Sequence, residues 1–178
     1  MRTFELSHPE RAAIGLAVVV LALHALAPGD ALEYQRGALA RQPWRLLTGH
    51  LVHLNWPHAL INAAALWIVA RLYAPDLTAT RQATALAAAA LAISAALAWL
   101  HPGIEWYRGL SGALHGLFFA GAVTWLLTER PRSPRGLWMP ALLVAGGWVK
   151  VVLEQPGAGV LPHADWLGAP VVPQAHLA

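Results

Sequence analysis

Five polar side chains stand inside apolar stretches of this chain: His58, Asn62, Ser111, His115 and His176. A polar group in such a segment is costly and is a functional candidate by default. His58 and Asn62 are four residues apart, as are Ser111 and His115, so each pair shares one face of a helix. A serine hydroxyl becomes a nucleophile when a base lies within hydrogen-bond reach, and His176 is the candidate base for Ser111. Ser111 follows Gly109-Leu110 and opens an apolar run, which places it at a helix N-terminus. Unpaired N–H groups and the positive end of the helix dipole favour an oxyanion there. His58 and Asn62 can supply further side-chain donors. Gly112 and Gly116 have the small-xxx-small spacing that lets a second helix approach closely. The chemistry that suits this set is acyl transfer by an activated serine. The chain has no cysteine, which excludes thiol catalysis and thiolate metal sites.

Each residue also has a plainer reading. A single histidine in a span is commonly a packed, hydrogen-bonded core residue, Asn62 alone could join two helices, and Ser111 alone is a common helix cap. What these readings leave unexplained is the shared depth. His58 and Asn62 fall in the first two turns of one apolar segment, Ser111 and His115 in the first two turns of another, and His176 near the start of any final one.

The segments that must position them are membrane spans. Of 178 residues, 57% are hydrophobic and 12% charged, nine are tryptophan, and the mean hydropathy is +0.49. Ser7 and Glu10 form a capping-box pattern ahead of a first run over 12–27, closed by Pro28-Gly29. No cleavage site follows that run, so it reads as a retained span. A polar loop from 30 to 45 leads to an interfacial stretch over 46–56. Asn55 and Pro57 open a second helix, to about residue 70. Further spans are expected over 83–100, 111–127 and 137–153, with loops at 101–110, 128–136 and 154–170. The chain reads as one domain, 1–178.

With the N-terminus inside, the inner segments hold Arg2, Arg11, Arg71, Arg81, Arg130, Arg132 and Arg135. The outer ones hold Arg36, Arg41, Arg45, Arg108 and Lys150. Seven against five favours that orientation. All three polar helix ends then meet at the outer face. The isoelectric point near 10.0 does not indicate nucleic acid, because the basic residues are scattered and form no Lys/Arg-rich run.

In order along the chain, Trp44-Arg45-Leu46-Leu47-Thr48, His53, His58-x-x-x-Asn62, Gly109-Leu110-Ser111-Gly112 and Ala175-His176-Leu177-Ala178 resemble the motifs of the rhomboid intramembrane proteases. The resemblance covers the chain from Trp44 to its end. It implies an all-α membrane protein, a six-helix bundle whose sixth helix is truncated here, since the family's next glycine after His176 is absent. It implies a Ser111–His176 dyad without an acidic third member. His58, Asn62 and the Ser111 backbone N–H would stabilise the oxyanion, and Gly109, Gly112 and His115 would support it. Trp44, Arg45 and His53 would brace the first loop. No cofactor or metal is implied. Ser111-Gly112-Ala113-Leu114-His115-Gly116, Lys150-Val151-Val152-Leu153-Glu154-Gln155 and Val171-Val172-Pro173-Gln174-Ala175-His176 further resemble the rhombosortase branch. That branch implies a bacterial inner-membrane enzyme, N-terminus cytoplasmic and site open to the periplasm. Its substrates are membrane-anchored proteins with a C-terminal Gly-Gly-type segment and span.

Two other readings are compatible with parts of the pattern. A rhomboid-like protein could bind membrane segments without cutting them, although both Ser111 and His176 are present. A membrane haem or metal protein could use His50, His53, His58 and His115, but Pro57 interrupts any single helix carrying them. Lys150 and Glu154, four apart, are expected to form an ion pair at the membrane edge.

Overall fold

The computed structural model describes residues 5–129 and 137–153. They are mostly helical, and the element order matches the spans expected from the sequence. Helix α1 (His8–Leu26) starts on the Ser7/Glu10 capping box, with both reciprocal bonds made. A short α2 (Gly29–Leu32), a strand β1 (Tyr34–Gln35), a 3₁₀ turn (Arg36–Ala38) and a short α3 (Arg45–Thr48) make up the first loop. Helix α4 (Trp56–Leu72) begins at Asn55, whose side chain accepts from the His58 N–H at 2.9 Å, with Pro57 in the first turn. Helix α5 (Ala79–Trp99) is capped by Thr78 and so begins four residues before the expected span, because a hydroxyl cap outranks the polarity of Arg81 and Gln82. After strand β2 (Trp106–Tyr107) come α6 (Ser111–Glu129) and α7 (Trp138–Leu153). The sixth helix expected around His176 lies outside the described residues.

Helices α1, α5 and α6 are long and apolar enough to cross a membrane, and α7 is a shorter apolar helix. At a rise of about 1.5 Å per residue the 17 residues of α4 extend about 25 Å, a little short of a typical hydrocarbon core. Val18, Leu60, Ile61, Ile68, Leu91, Leu142 and Val149 are exposed along these helices, as expected of a bundle whose solvent is lipid. α1 packs on α4 and α5, α6 packs on α4, α5 and α7. The core between them is built from small and branched residues, among them Ala13, Leu66, Ala70, Leu86, Ala90, Ala113 and Leu117. A Cβ on Gly116 would lie 2.4 Å from the Ala89 Cβ, so α5 and α6 touch nearly backbone to backbone.

The first loop is more ordered than a polar linker. Tyr34 and Gln35 pair antiparallel with Tyr107 and Trp106, a two-stranded ladder between two loops. Tyr34, Ile93, Leu97 and Tyr107 form a second small core beneath it. Arg36 donates to the carbonyls of Leu97, Ala98, His101 and Ile104, so one guanidinium caps the C-terminus of α5 and the start of the next loop. Arg45 is buried and donates to the carbonyls of Asp30 and Glu33, each at 2.8 Å, and to the Gln42 side chain. Arg108 pairs with Glu33. At the other end of the bundle Arg71 of α4 pairs with Glu10 of α1 at 2.7 Å.

Removing the Arg36 cap leaves several carbonyls without their charged donor. Arg36→Met is expected to destabilise the protein by roughly 2 kcal/mol or more, read as a lower unfolding midpoint in detergent. An unchanged midpoint would show that water replaces the guanidinium at no cost.

Candidate active site

The turn into α6 is held from three sides. Gly109 has φ of +127°, a backbone conformation open to glycine, and a Cβ there would lie 2.8 Å from the His58 ring. Its N–H donates to the Gly49 carbonyl at 3.0 Å. The next N–H, of Leu110, donates to Nε2 of His53 at 3.3 Å. Tyr107 donates its hydroxyl to the Gly109 carbonyl at 2.7 Å. Ser111 is then the first residue of α6, and the first helical bond, from the Leu114 N–H to the Leu110 carbonyl, closes around it at 2.9 Å.

His58 and Ser111 are therefore neighbours through Gly109. The imidazole of His58 lies close to the glycine two residues before the serine, and it packs nearly perpendicular to the His53 ring at 4.9 Å between ring centres. Asn62 is buried and donates Nδ2 to the His58 carbonyl at 2.9 Å. His115 makes the matching bond in α6, Nδ1 to the Ser111 carbonyl at 2.8 Å. Both pairs seen in the sequence are thus linked through a backbone carbonyl, one turn back. Gly112 falls in the first turn of α6. The position of His176 lies outside the described residues.

The other histidines of the first loop have separate partners. Ser94 donates to the Leu46 carbonyl at 2.6 Å, so its oxygen accepts from His50 Nε2, 3.0 Å away. His53 accepts the Leu110 N–H, as above. Among the described residues no three His, Asp or Glu side chains are placed to share a metal ion. Arg45 braces the first loop through its carbonyl bonds. Trp44 is about half exposed at its side chain, and its carbonyl accepts from the Leu47 and Thr48 N–H groups at the start of α3. Lys150 donates to Nε2 of His115 at 3.1 Å, a partner the sequence did not suggest; its expected partner Glu154 lies outside the described residues.

Two contributors to the site went unread in the sequence. Ser94 is buried on α5 and receives His50; its signal was a hydroxyl in an otherwise Ala- and Leu-rich run. Tyr107 is buried beside the turn into α6, and burial pushes its phenol up to about 12. The nearby Gly112 N–H and Ser111 hydroxyl pull the other way. No local spacing marks Tyr107, because its place depends on the ladder to Tyr34.

The rhomboid-domain family model matches residues 40–177, more than half of the chain. The chain belongs to the rhomboid family, whose members are in general serine intramembrane proteases. No curated protein and no solved structure matches it.

Two outcomes follow from this geometry. Gly109→Ala places a Cβ both at positive φ and against the His58 ring, so activity toward any substrate is expected to fall by at least about a hundredfold, as for a displaced reacting group. Wild-type activity in that variant would show that the turn is not needed as built. The second concerns pH. Burial pushes the His50 imidazole down to about 4; burial, then the neighbouring charges of His58 and His24, pushes that of His53 down to about 3. Both lie below the unfolded value of about 6.5. Between those values the unfolded chain binds more protons than the folded one. Stability is therefore full above about pH 6.5 and is lost progressively as pH falls toward 3. Melting temperatures taken from pH 7.5 down to 4.5 should decline, and less steeply in the His50→Asn variant.

Proposed function

We propose that the protein is an intramembrane serine protease in which Ser111 attacks the scissile carbonyl and His176 takes and returns its proton. The observation that carries this reading is the turn at Gly109, which sets Ser111 at the mouth of α6 with the His58 ring alongside and the α4 polar pair at the same end of the bundle.

The steps follow ordinary acyl transfer. The hydroxyl oxygen bonds to the carbonyl carbon as its proton passes to His176. Negative charge then builds on the carbonyl oxygen. The Ser111 N–H at the helix start and the side chains of His58 and Asn62 are the donors proposed to face it. Asn62 has a second amide hydrogen beyond the one given to the His58 carbonyl, so it can donate in both directions. The peptide bond breaks as His176 protonates the leaving amine, and water or an amine acceptor then releases the acyl group. Gly109 and Gly112 support this chemistry by shaping the turn, and His115 by holding the Ser111 carbonyl.

The proposed substrate is a membrane-anchored secreted protein with a C-terminal Gly-Gly-containing segment, an apolar span and a basic tail. The support is chemical. Helical hydrogen bonds shield a peptide bond, and glycines weaken the helix and uncover the backbone. The sequence likeness to rhombosortases at 111–116, 150–155 and 171–176 points the same way. The proposed setting is the bacterial inner membrane, N-terminus cytoplasmic, with Ser111 toward the periplasm, on the seven-to-five bias of basic residues.

The test is reconstitution in liposomes with a reporter carrying such a tail. Wild type should cut it, and Ser111→Ala and His176→Ala should each lose at least about a thousandfold. Replacing the glycine pair by leucines should remove the substrate. Intact mass of the product distinguishes addition of water from transfer to an amine. Equal cleavage by wild type and Ser111→Ala would end the protease reading and leave a segment-binding protein.

A further inference from the structure

Two bonds of the site end on His115, which takes no part in the proton transfer of the dyad. His115 reaches the Ser111 carbonyl with Nδ1 at 2.8 Å, and Lys150 of α7 reaches His115 Nε2 at 3.1 Å. A carbonyl only accepts, so Nδ1 must carry the ring hydrogen. An ammonium only donates, so Nε2 must present its lone pair. The two partners together select one neutral tautomer of His115, as a second partner commonly does for a functional imidazole.

The same helices meet again one turn away. A Cβ on Gly147, three residues before Lys150, would lie 2.9 Å from the Phe118 ring and 3.0 Å from that of Phe119. His115, Phe118 and Phe119 on α6 thus face Gly147 and Lys150 on α7. On another side of α6, Gly116 meets Ala89 of α5. The first turns of α6 are clamped between α5 and α7, and Lys150 supplies the polar half of the α7 contact.

We propose that Lys150 is a positioning residue for Ser111, acting through His115. Its ammonium fixes the His115 ring so that the ring holds the Ser111 carbonyl, and with it the first turn of α6 and the direction of the Ser111 hydroxyl. The proposal rests on Ser111 being the nucleophile.

The test uses the full chain in lipid nanodiscs and a fluorophosphonate probe, which needs no knowledge of the natural substrate. The Ser111 oxygen bonds to phosphorus, the P–F bond breaks, fluoride leaves, and the serine proton goes to the base. Lys150→Met should lower the maximal labelling rate about tenfold, the order expected for one bond from a charged donor, with the half-saturating probe concentration little changed. Lys150→Arg, which still donates, should recover most of that loss. In a His115→Phe background, Lys150→Met should have no further effect, because its route to Ser111 is gone. Full labelling of Lys150→Met, or the same tenfold loss with and without His115, would overturn the proposal. Independently of any variant, ¹⁵N spectra of the wild-type His115 ring should show the hydrogen on Nδ1, and a hydrogen on Nε2 alone would overturn it as well. Labelling that persists in Ser111→Ala would instead refute the nucleophile, which separates the two failures.

Discussion

Two backbone hydrogens hold the candidate site together: the Gly109 N–H on the Gly49 carbonyl and the Leu110 N–H on His53. They join the first loop to the turn that starts α6. A residue at positive φ keeps its conformation only when its surroundings over-determine it. Here the surroundings are that loop, the Tyr107 hydroxyl on the Gly109 carbonyl and the His58 ring against the glycine. The order of the first loop and the geometry of Ser111 are therefore one problem. Arg45, Arg36 and the Glu33–Arg108 pair lie away from Ser111, yet they stabilise the loop from which the turn is hung.

The histidines divide by the partners they have. His50 and His53 are buried, neutral and committed, one to Ser94 and one to a backbone N–H. Their low basicity suits structural members, since a charge there would be desolvated. His58 instead presents its ring to the glycine before Ser111, and His115 spans from Ser111 to another helix. These four histidines look alike as letters. They differ in their partners, and that separates those that hold the loop from those near Ser111.

Much of the architecture was legible in the sequence, because apolar runs and caps are local signals. Ser7 and Glu10, Asn55 and Pro57, and the stops around residues 27 and 100 each act over a few residues. The polar pairs His58/Asn62 and Ser111/His115 were legible for the same reason, as helical periodicity fixes their faces. The bonds they make were not. Spacing suggests side chain meeting side chain, whereas each donates to a carbonyl one turn back, an acceptor that every residue has and no letter marks. The contacts of Arg36 with residues 61 to 68 positions away, the Tyr34–Tyr107 ladder and the Lys150–His115 bond depend on tertiary closeness that no local pattern encodes.

The constraint behind this arrangement is the solvent. In a bilayer, irregular backbone persists only where protein satisfies its polar groups. The first loop and the turn at Gly109 are irregular backbone, and they are supplied with internal donors and acceptors: two guanidiniums, a hydroxyl and an imidazole. The apolar faces of α5 and α6 add little drive to associate in lipid, so close approach is left to shape, which is why Gly116 meets Ala89 with no room for a Cβ. Polar side chains at the end of such a bundle must not loosen it. Binding Asn62 and His115 to carbonyls of their own helices meets that need. The polar side chains of α4 and α6 are thereby tied to the first turns of their own helices.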